Sequence, residues 1–198
     1  MSKIIFLNGC SSSGKTSLAK AIQHLSEEPW LYSGIDLTFA ALPAKYFSDS
    51  PGGGEKAVQG VQFIPDVDSE GFPVLKVKNG PYAEKFSQSI PKIIKQLADD
   101  GHNLVIDEVI KSRKVLGSWV SILKGHLVLF VKVNCELFLM EEREIVRGDR
   151  KRGLARAGYS EMKNLDWNFD LQVDTGQGSP LANAKRILEF GEKFFRKI

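Results

Sequence analysis

Short apolar runs alternate along this chain with stretches in which apolar positions recur every three or four residues. "KIIFLN" (Lys3–Asn8) is unbroken and of strand length, the pattern of a strand buried on both faces. Leu18, Ala21, Ile22 and Leu25 then fall on one face of a helix. "PWLYSGID" (Pro29–Asp36) predicts a second strand ending at an aspartate, and "LTFAALPAKYF" a helix that ends or kinks near Pro43. A loop by composition, "SDSPGGGEKAVQG", precedes a small hairpin of "VQFIP" and "FPVLKV" with "DVDSEG" as its turn. Phe86, Ile90, Ile94 and Leu97 share the face of a helix that Pro91 should bend. "NLVIDEV" is the next strand, Lys111–Leu123 a short helix, "LVLFVKV" a fully buried strand and "CELFLMEEREIVRGDR" a helix. A polar stretch leads to a last strand, "FDLQVDT". Ser179-Pro180 then caps a final helix carrying Leu181, Ala184, Leu188 and Phe195. Strands alternating with helices predict an α/β fold around a parallel sheet.

Composition adds bounds. A chain of 198 residues fits one domain with a sizeable core. With 42% hydrophobic and 26% charged residues it has the make-up of a soluble globular protein. A formal charge of +3 is too small to imply nucleic-acid binding without a basic cluster, so no nucleic-acid partner is expected. No apolar run approaches the roughly 20 residues of a membrane span, and the first residues do not read as a signal peptide. Cys10 and Cys135 are the two cysteines. Two free thiols fit a reducing compartment, and a cytoplasmic location is the expectation.

The candidate chemistry starts at "GCSSSGKTS", Gly9 to Ser17, which has the spacing GxxxxGK[ST] between a predicted strand and an amphipathic helix. Glycines at both ends let backbone N–H groups turn toward phosphates, and the helix N-terminus adds a positive dipole end. Gly9, Cys10, Ser11, Ser12, Ser13, Gly14, Lys15, Thr16 and Ser17 are therefore the expected nucleotide-binding run. Lys15 should reach the β- and γ-phosphates of ATP, and Thr16 should place its hydroxyl on Mg²⁺. Asp107, ending a hydrophobic strand, is the second expected metal-side group, and Glu108 beside it is equally a plain strand-end acid.

"EEREIVRGDRKRGLAR" places Arg143, Arg147 and Arg150 at i, i+4 and i+7. As a lid they would clamp the donor: Arg143 on the nucleotide side, Arg147 and Arg150 on the transferring phosphate. A solvated face paired with Glu141, Glu142, Glu144 and Asp149 explains the same run. Asp36 stands where a kinase needs a carboxylate beside an attacking hydroxyl, and by position alone it is as well a helix cap. Trp30, Phe39, Leu42, Tyr46 and Phe63 are candidates for an apolar acceptor pocket and equally for core. Asp174 and Thr175 either contact adenine or simply end the last strand.

Taken together, "FLNGCSSSGKTS", "EPWLYSGIDLTFAALPAK", "VIDEV", "REIVRGDR" and "VDTGQGSP" resemble the chloramphenicol phosphotransferase family, in the same order over nearly the whole chain. The resemblance implies a P-loop kinase of nucleoside/nucleotide-kinase type. Its three layers hold a five-stranded parallel sheet, with an insertion at about 48–78 near the acceptor and a lid at about 143–160. It implies transfer of the γ-phosphate of ATP to a small molecule's hydroxyl, with the aspartate matching Asp36 as base. Chloramphenicol 3-O-phosphorylation, and with it antibiotic resistance, is the family's model reaction. A sugar nucleotide, a nucleoside or another metabolite is an alternative acceptor, and a regulatory NTPase is a more distant reading.

Overall fold

The computed structural model describes residues 1–49, 54–148 and 151–196. The elements in order are β1 (Lys3–Asn8), α1 (Lys15–Leu25), β2 (Trp30–Gly34), α2 (Ile35–Phe39), and 3-10 turns at Ala44–Tyr46 and Glu55–Val58. Next come β3 (Val61–Val67), β4 (Pro73–Asn79), α3 (Pro81–Ser87), α4 (Ile90–Asp99), β5 (Asn103–Glu108), α5 (Arg113–Ile122) and β6 (Leu127–Asn134). The chain closes with α6 (Leu137–Arg147), α7 (Leu154–Lys163), β7 (Leu171–Asp174) and α8 (Pro180–Phe195). Five strands form one sheet in the order β2-β5-β1-β6-β7, with every pairing parallel. β3 and β4 pair antiparallel as a separate hairpin.

Three layers follow from the alternation of strand side chains. On β1, Ile5 and Leu7 face one side and pack with Leu18 and Ile22 of α1 and Ala184 and Ile187 of α8. Ile4 and Phe6 face the other and pack with Ile94 of α4 and Leu116 and Trp119 of α5. Both faces are covered, so the strand carries no polar alternation. β1 lies between β5 and β6; the chain leaves it for β2 on one side and later crosses from β5 to β6 on the other. Such a switch point opens a crevice at the carboxyl ends of the strands, where ligands bind in open α/β sheets.

The expected elements hold with local corrections. β2 ends at Gly34, and Asp36 sits in the first turn of α2 rather than at a strand end. That helix has five residues instead of running through "LTFAALPAKYF". Pro91 does not bend one helix; it sits in the first turn of α4, after a separate α3. The polar stretch after α6 contains α7, which the sequence pattern did not reveal. Leu25 and Leu181, placed on buried faces by periodicity, are 41% and 48% exposed. Ser179 does cap α8, its side chain accepting from the Ala182 N–H at 3.2 Å.

Candidate active site

The loop between β1 and α1 is held in its turn from beneath. Gly14, the N-cap of α1, has φ 89°, a left-handed conformation that a Cβ would strain. Ser12 adopts φ 60° without being glycine, which costs on the order of 1–2 kcal/mol and needs support. That support comes from far along the chain. The Thr175 hydroxyl donates to Ser13 O at 2.6 Å. Arg143 donates to Ser12 O at 3.4 Å, to Thr175 Oγ1 at 3.0 Å and to Thr175 O at 2.8 Å. No side chain caps α1, so its first-turn N–H groups are left for an anion at the loop mouth. The buried hydroxyls of Ser12 and Ser13 have no partner among the described residues. With those amides they form a cradle that suits a polyphosphate.

Lys15 and Asp107 form the polar centre. The Lys15 ammonium is buried, donates to Cys10 O at 2.8 Å and lies 3.5 Å from Asp107 Oδ1. Thr16 donates its hydroxyl hydrogen to Asp107 Oδ2 at 2.7 Å, leaving the lone pairs of Oγ1 for a cation. A hydroxyl and a carboxylate are the hard oxygen donors that suit Mg²⁺, which binds few protein ligands and keeps the rest for phosphate and water. Tyr32 OH also donates to Asp107 Oδ2, at 3.1 Å. Burial and the Asp107 charge push this phenol up to about 12, so it remains a donor at neutral pH. Glu108 is buried, and burial with Asp107 beside it pushes its carboxyl up to about 8.

A cavity of about 590 Å³ opens from this centre. Ser11, Ser12, Gly14, Lys15, Thr16, Ser17 and Asp107 line its phosphate end, together with Asp36 and Arg147. Phe39, Phe47, Val61, Phe63, Leu75 and Val77 give it an apolar wall. Lys111, paired with Glu161 at 2.8 Å, and Lys151, paired with Asp49 at 2.9 Å, stand at its edge. The hairpin and the α6–α7 region close over it. Leu75 N–H donates to Gly153 O at 3.1 Å, and Arg156 bridges Glu141 at 2.6 Å and Asp68 at 3.3 Å. Arg156 also lies 4.4 Å over the Phe72 ring and Lys151 5.3 Å over Phe63.

The residues expected from the sequence sort as follows. Asp36 is exposed and lines the cavity; the cap of α2 is Gly34, so Asp36 does not serve as that cap. Arg147 is exposed and lines the cavity. Arg150 lies outside the described residues. Arg143 lies on α6 four residues before Arg147 and is committed to Ser12 O and Thr175, so it holds the loop. Cys10 contributes its carbonyl to Lys15, while its thiol is buried toward Gly158 O at 3.7 Å, away from the cradle. The Gly9 N–H donates to Glu108 O at 3.4 Å. Phe39 and Phe63 line the cavity as expected. Trp30 instead packs at 6.5 Å on Phe195, and Leu42 belongs to a core cluster with Val61 and Ala83. Tyr46 stacks at 5.4 Å on Tyr82.

Four residues escaped the sequence reading in these roles: Tyr32, Lys111, Glu144 and Thr175. Glu144 is buried and accepts from the Gly153 and Ala155 N–H groups at 2.9 and 2.7 Å, capping α7. Only the (i, i+9) and (i, i+11) spacing to a helix start could have hinted at it.

The chain matches the family model described as "Chloramphenicol phosphotransferase-like protein" over residues 2–192. Two proteins named "Putative O-phosphotransferase", from Mycobacterium tuberculosis strains CDC 1551 / Oshkosh and ATCC 25618 / H37Rv, are each 34% identical over 175 residues. That stretch is 87% of this chain and 75% of theirs. Among solved structures, the APS kinase of M. tuberculosis in complex with AMPPNP and APS superposes with a TM-score of 0.64 at 15% identity, covering 96% of this chain and 98% of that one. A gluconokinase from Sinorhizobium meliloti gives 0.63 at 16%, covering 99% and 94%. The tunicamycin resistance protein of Deinococcus radiodurans gives 0.62 at 16%, covering 96% and 95%. These structures share the three-layer fold.

Proposed function

The chain belongs to the chloramphenicol phosphotransferase-like family, and from that premise we propose that it moves the γ-phosphate of ATP, with Mg²⁺, onto a hydroxyl of a small molecule with an apolar body. One observation carries the reading: Lys15, Thr16, Asp107, Asp36 and Arg147 all face one cavity of about 590 Å³ whose far wall is apolar. The proposed donor end and acceptor end therefore open into the same space.

Thr16 and Asp107 would hold the Mg²⁺, which when bound would neutralise charge on the oxygens of ATP, the phosphoryl donor. The chain's residues do the rest. The loop amides and Lys15 bind and orient the phosphates. Thr16 and Asp107 hold the cation edge of the site. Asp36 accepts the proton of the acceptor hydroxyl. Arg147 offers positive charge to the equatorial oxygens as they take up charge in transfer. Arg150 is assigned the same task. The insertion at about 48–78 and the lid at about 143–160 belong to one kinase domain and exclude water from the cavity, which turns the reaction away from hydrolysis.

The test is a panel of hydroxyl compounds screened for acceptor-dependent ADP release. Chloramphenicol, nucleosides, sugar nucleotides and hydroxylated metabolites are its arms. A chloramphenicol-like acceptor should raise ADP release well above the rate in water alone. Hydrolysis that no acceptor stimulates would instead fit a regulatory NTPase.

A further inference from the structure

Asp107 accepts two hydrogen bonds on one oxygen. Thr16 Oγ1 reaches Oδ2 at 2.7 Å and Tyr32 OH reaches the same atom at 3.1 Å, while Oδ1 lies 3.5 Å from the Lys15 ammonium. Tyr32 comes from β2, which pairs with β5 so that Gly34 stands opposite Asp107. Its ring packs against the core cluster that contains Leu18, Ile22 and Val105. Its hydroxyl lies so close over Gly34 that a Cβ there would collide with it. The phenol is thus fixed by packing on one side and by a missing side chain on the other.

We propose that Tyr32 is a positioning residue for phosphoryl transfer, its hydroxyl anchoring Asp107 Oδ2 beside Thr16 at the cation edge of the loop so that Oδ1 stays turned toward Lys15. The inference rests on the metal-side role given to Asp107 above. The terminal torsion of an aspartate is broad and two-fold, so a single anchor leaves the carboxylate free to swing. Thr16 gives its hydrogen to Oδ2 and turns its lone pairs to the cation, so its position answers to both. Tyr32 faces no such demand; residues of the cavity wall do not include it. If Tyr32 acted only as core, phenylalanine would serve equally well, since the packing of the ring does not involve the hydroxyl.

Tyr32→Phe isolates the hydroxyl. The probe is AMPPNP binding by calorimetry across a MgCl₂ series and in EDTA, with the melting temperature measured alongside. The hydroxyl donates to a charged group, so the Mg²⁺ concentration for half-maximal enhancement of AMPPNP binding should rise roughly ten-fold. Binding in EDTA and the melting temperature should stay near parental values. Parental Mg²⁺ dependence in Tyr32→Phe overturns the inference, as does an equal loss with and without metal. Asp107→Asn separates this from the underlying reading. If Asp107→Asn loses the Mg²⁺ enhancement while Tyr32→Phe keeps it, only the role of Tyr32 fails. If Asp107→Asn also keeps it, the metal-side assignment of Asp107 fails.

Discussion

Glu108 is an acid held against its charge. Its carboxyl ordinarily titrates near 4.5, and burial followed by Asp107 pushes it up to about 8 in the folded chain. The folded state therefore keeps a proton that the unfolded chain releases. The stabilising contribution is whole below pH 4.5 and is lost as pH rises through 8. The melting temperature should fall more steeply between about pH 5 and 8 in the parent than in Glu108→Gln, and matching slopes would place the titrating group elsewhere. Lys15→Ala should weaken AMPPNP binding and abolish most turnover, read by calorimetry and ADP release; full retained activity would remove the phosphate-loop account. At this scale legibility followed sequence distance. The Gly9–Ser17 turn was legible because its glycine spacing is local, although the bonds that support it come from Arg143 and Thr175, and Asp107 because it ends an apolar run. Tyr32 and Thr175 could not, because their partners are 75 and 162 residues away.

The elements that wall the apolar end of the cavity, the proposed acceptor side, include the hairpin and the α6–α7 pair. Their junction is Gly153, with φ 92°, where a Cβ would come within 3.0 Å of Leu75 N and 3.1 Å of Val74 Cα. Gly153→Ala meets both a left-handed backbone and a β4 strand that cannot retreat, a cost of about 1–2 kcal/mol from the backbone alone. It should lower the melting temperature and raise the acceptor KM while AMPPNP affinity changes little; calorimetry and steady-state kinetics separate the two. Arg156→Met keeps much of the stem over Phe72 and removes the charged bridge between Glu141 and Asp68, so it should raise the acceptor KM in the same way. α7 escaped the hydrophobic pattern because its buried positions are Ala155, Gly158 and Met162, and two of those are too small to register as apolar. α2 was overdrawn because "FAAL" continues a helical composition, whereas the chain turns after Phe39, with Ala41 and Leu42 making 3-10-type bonds.

Across the whole molecule the two most buried strands, β1 and β5, are neighbours inside the sheet. β1 is central, so the loop that follows it opens at the switch point, and the β2 and β5 ends deliver Asp36 and Asp107 to the same crevice. The α/β class, the five strands and the hairpin were legible because each strand is a distinct apolar run. The closure of the hairpin on the lid was not, because it depends on Leu75, Asp68 and Arg156, residues whose meeting no local pattern encodes. The central claim is that the phosphate goes to a hydroxyl activated by Asp36. Asp36→Asn, assayed with an acceptor that the parent phosphorylates, should bind AMPPNP as the parent does and lose about 100-fold or more of acceptor-dependent transfer, followed as phosphorylated product by mass spectrometry. Transfer at the parental rate in Asp36→Asn would contradict the account.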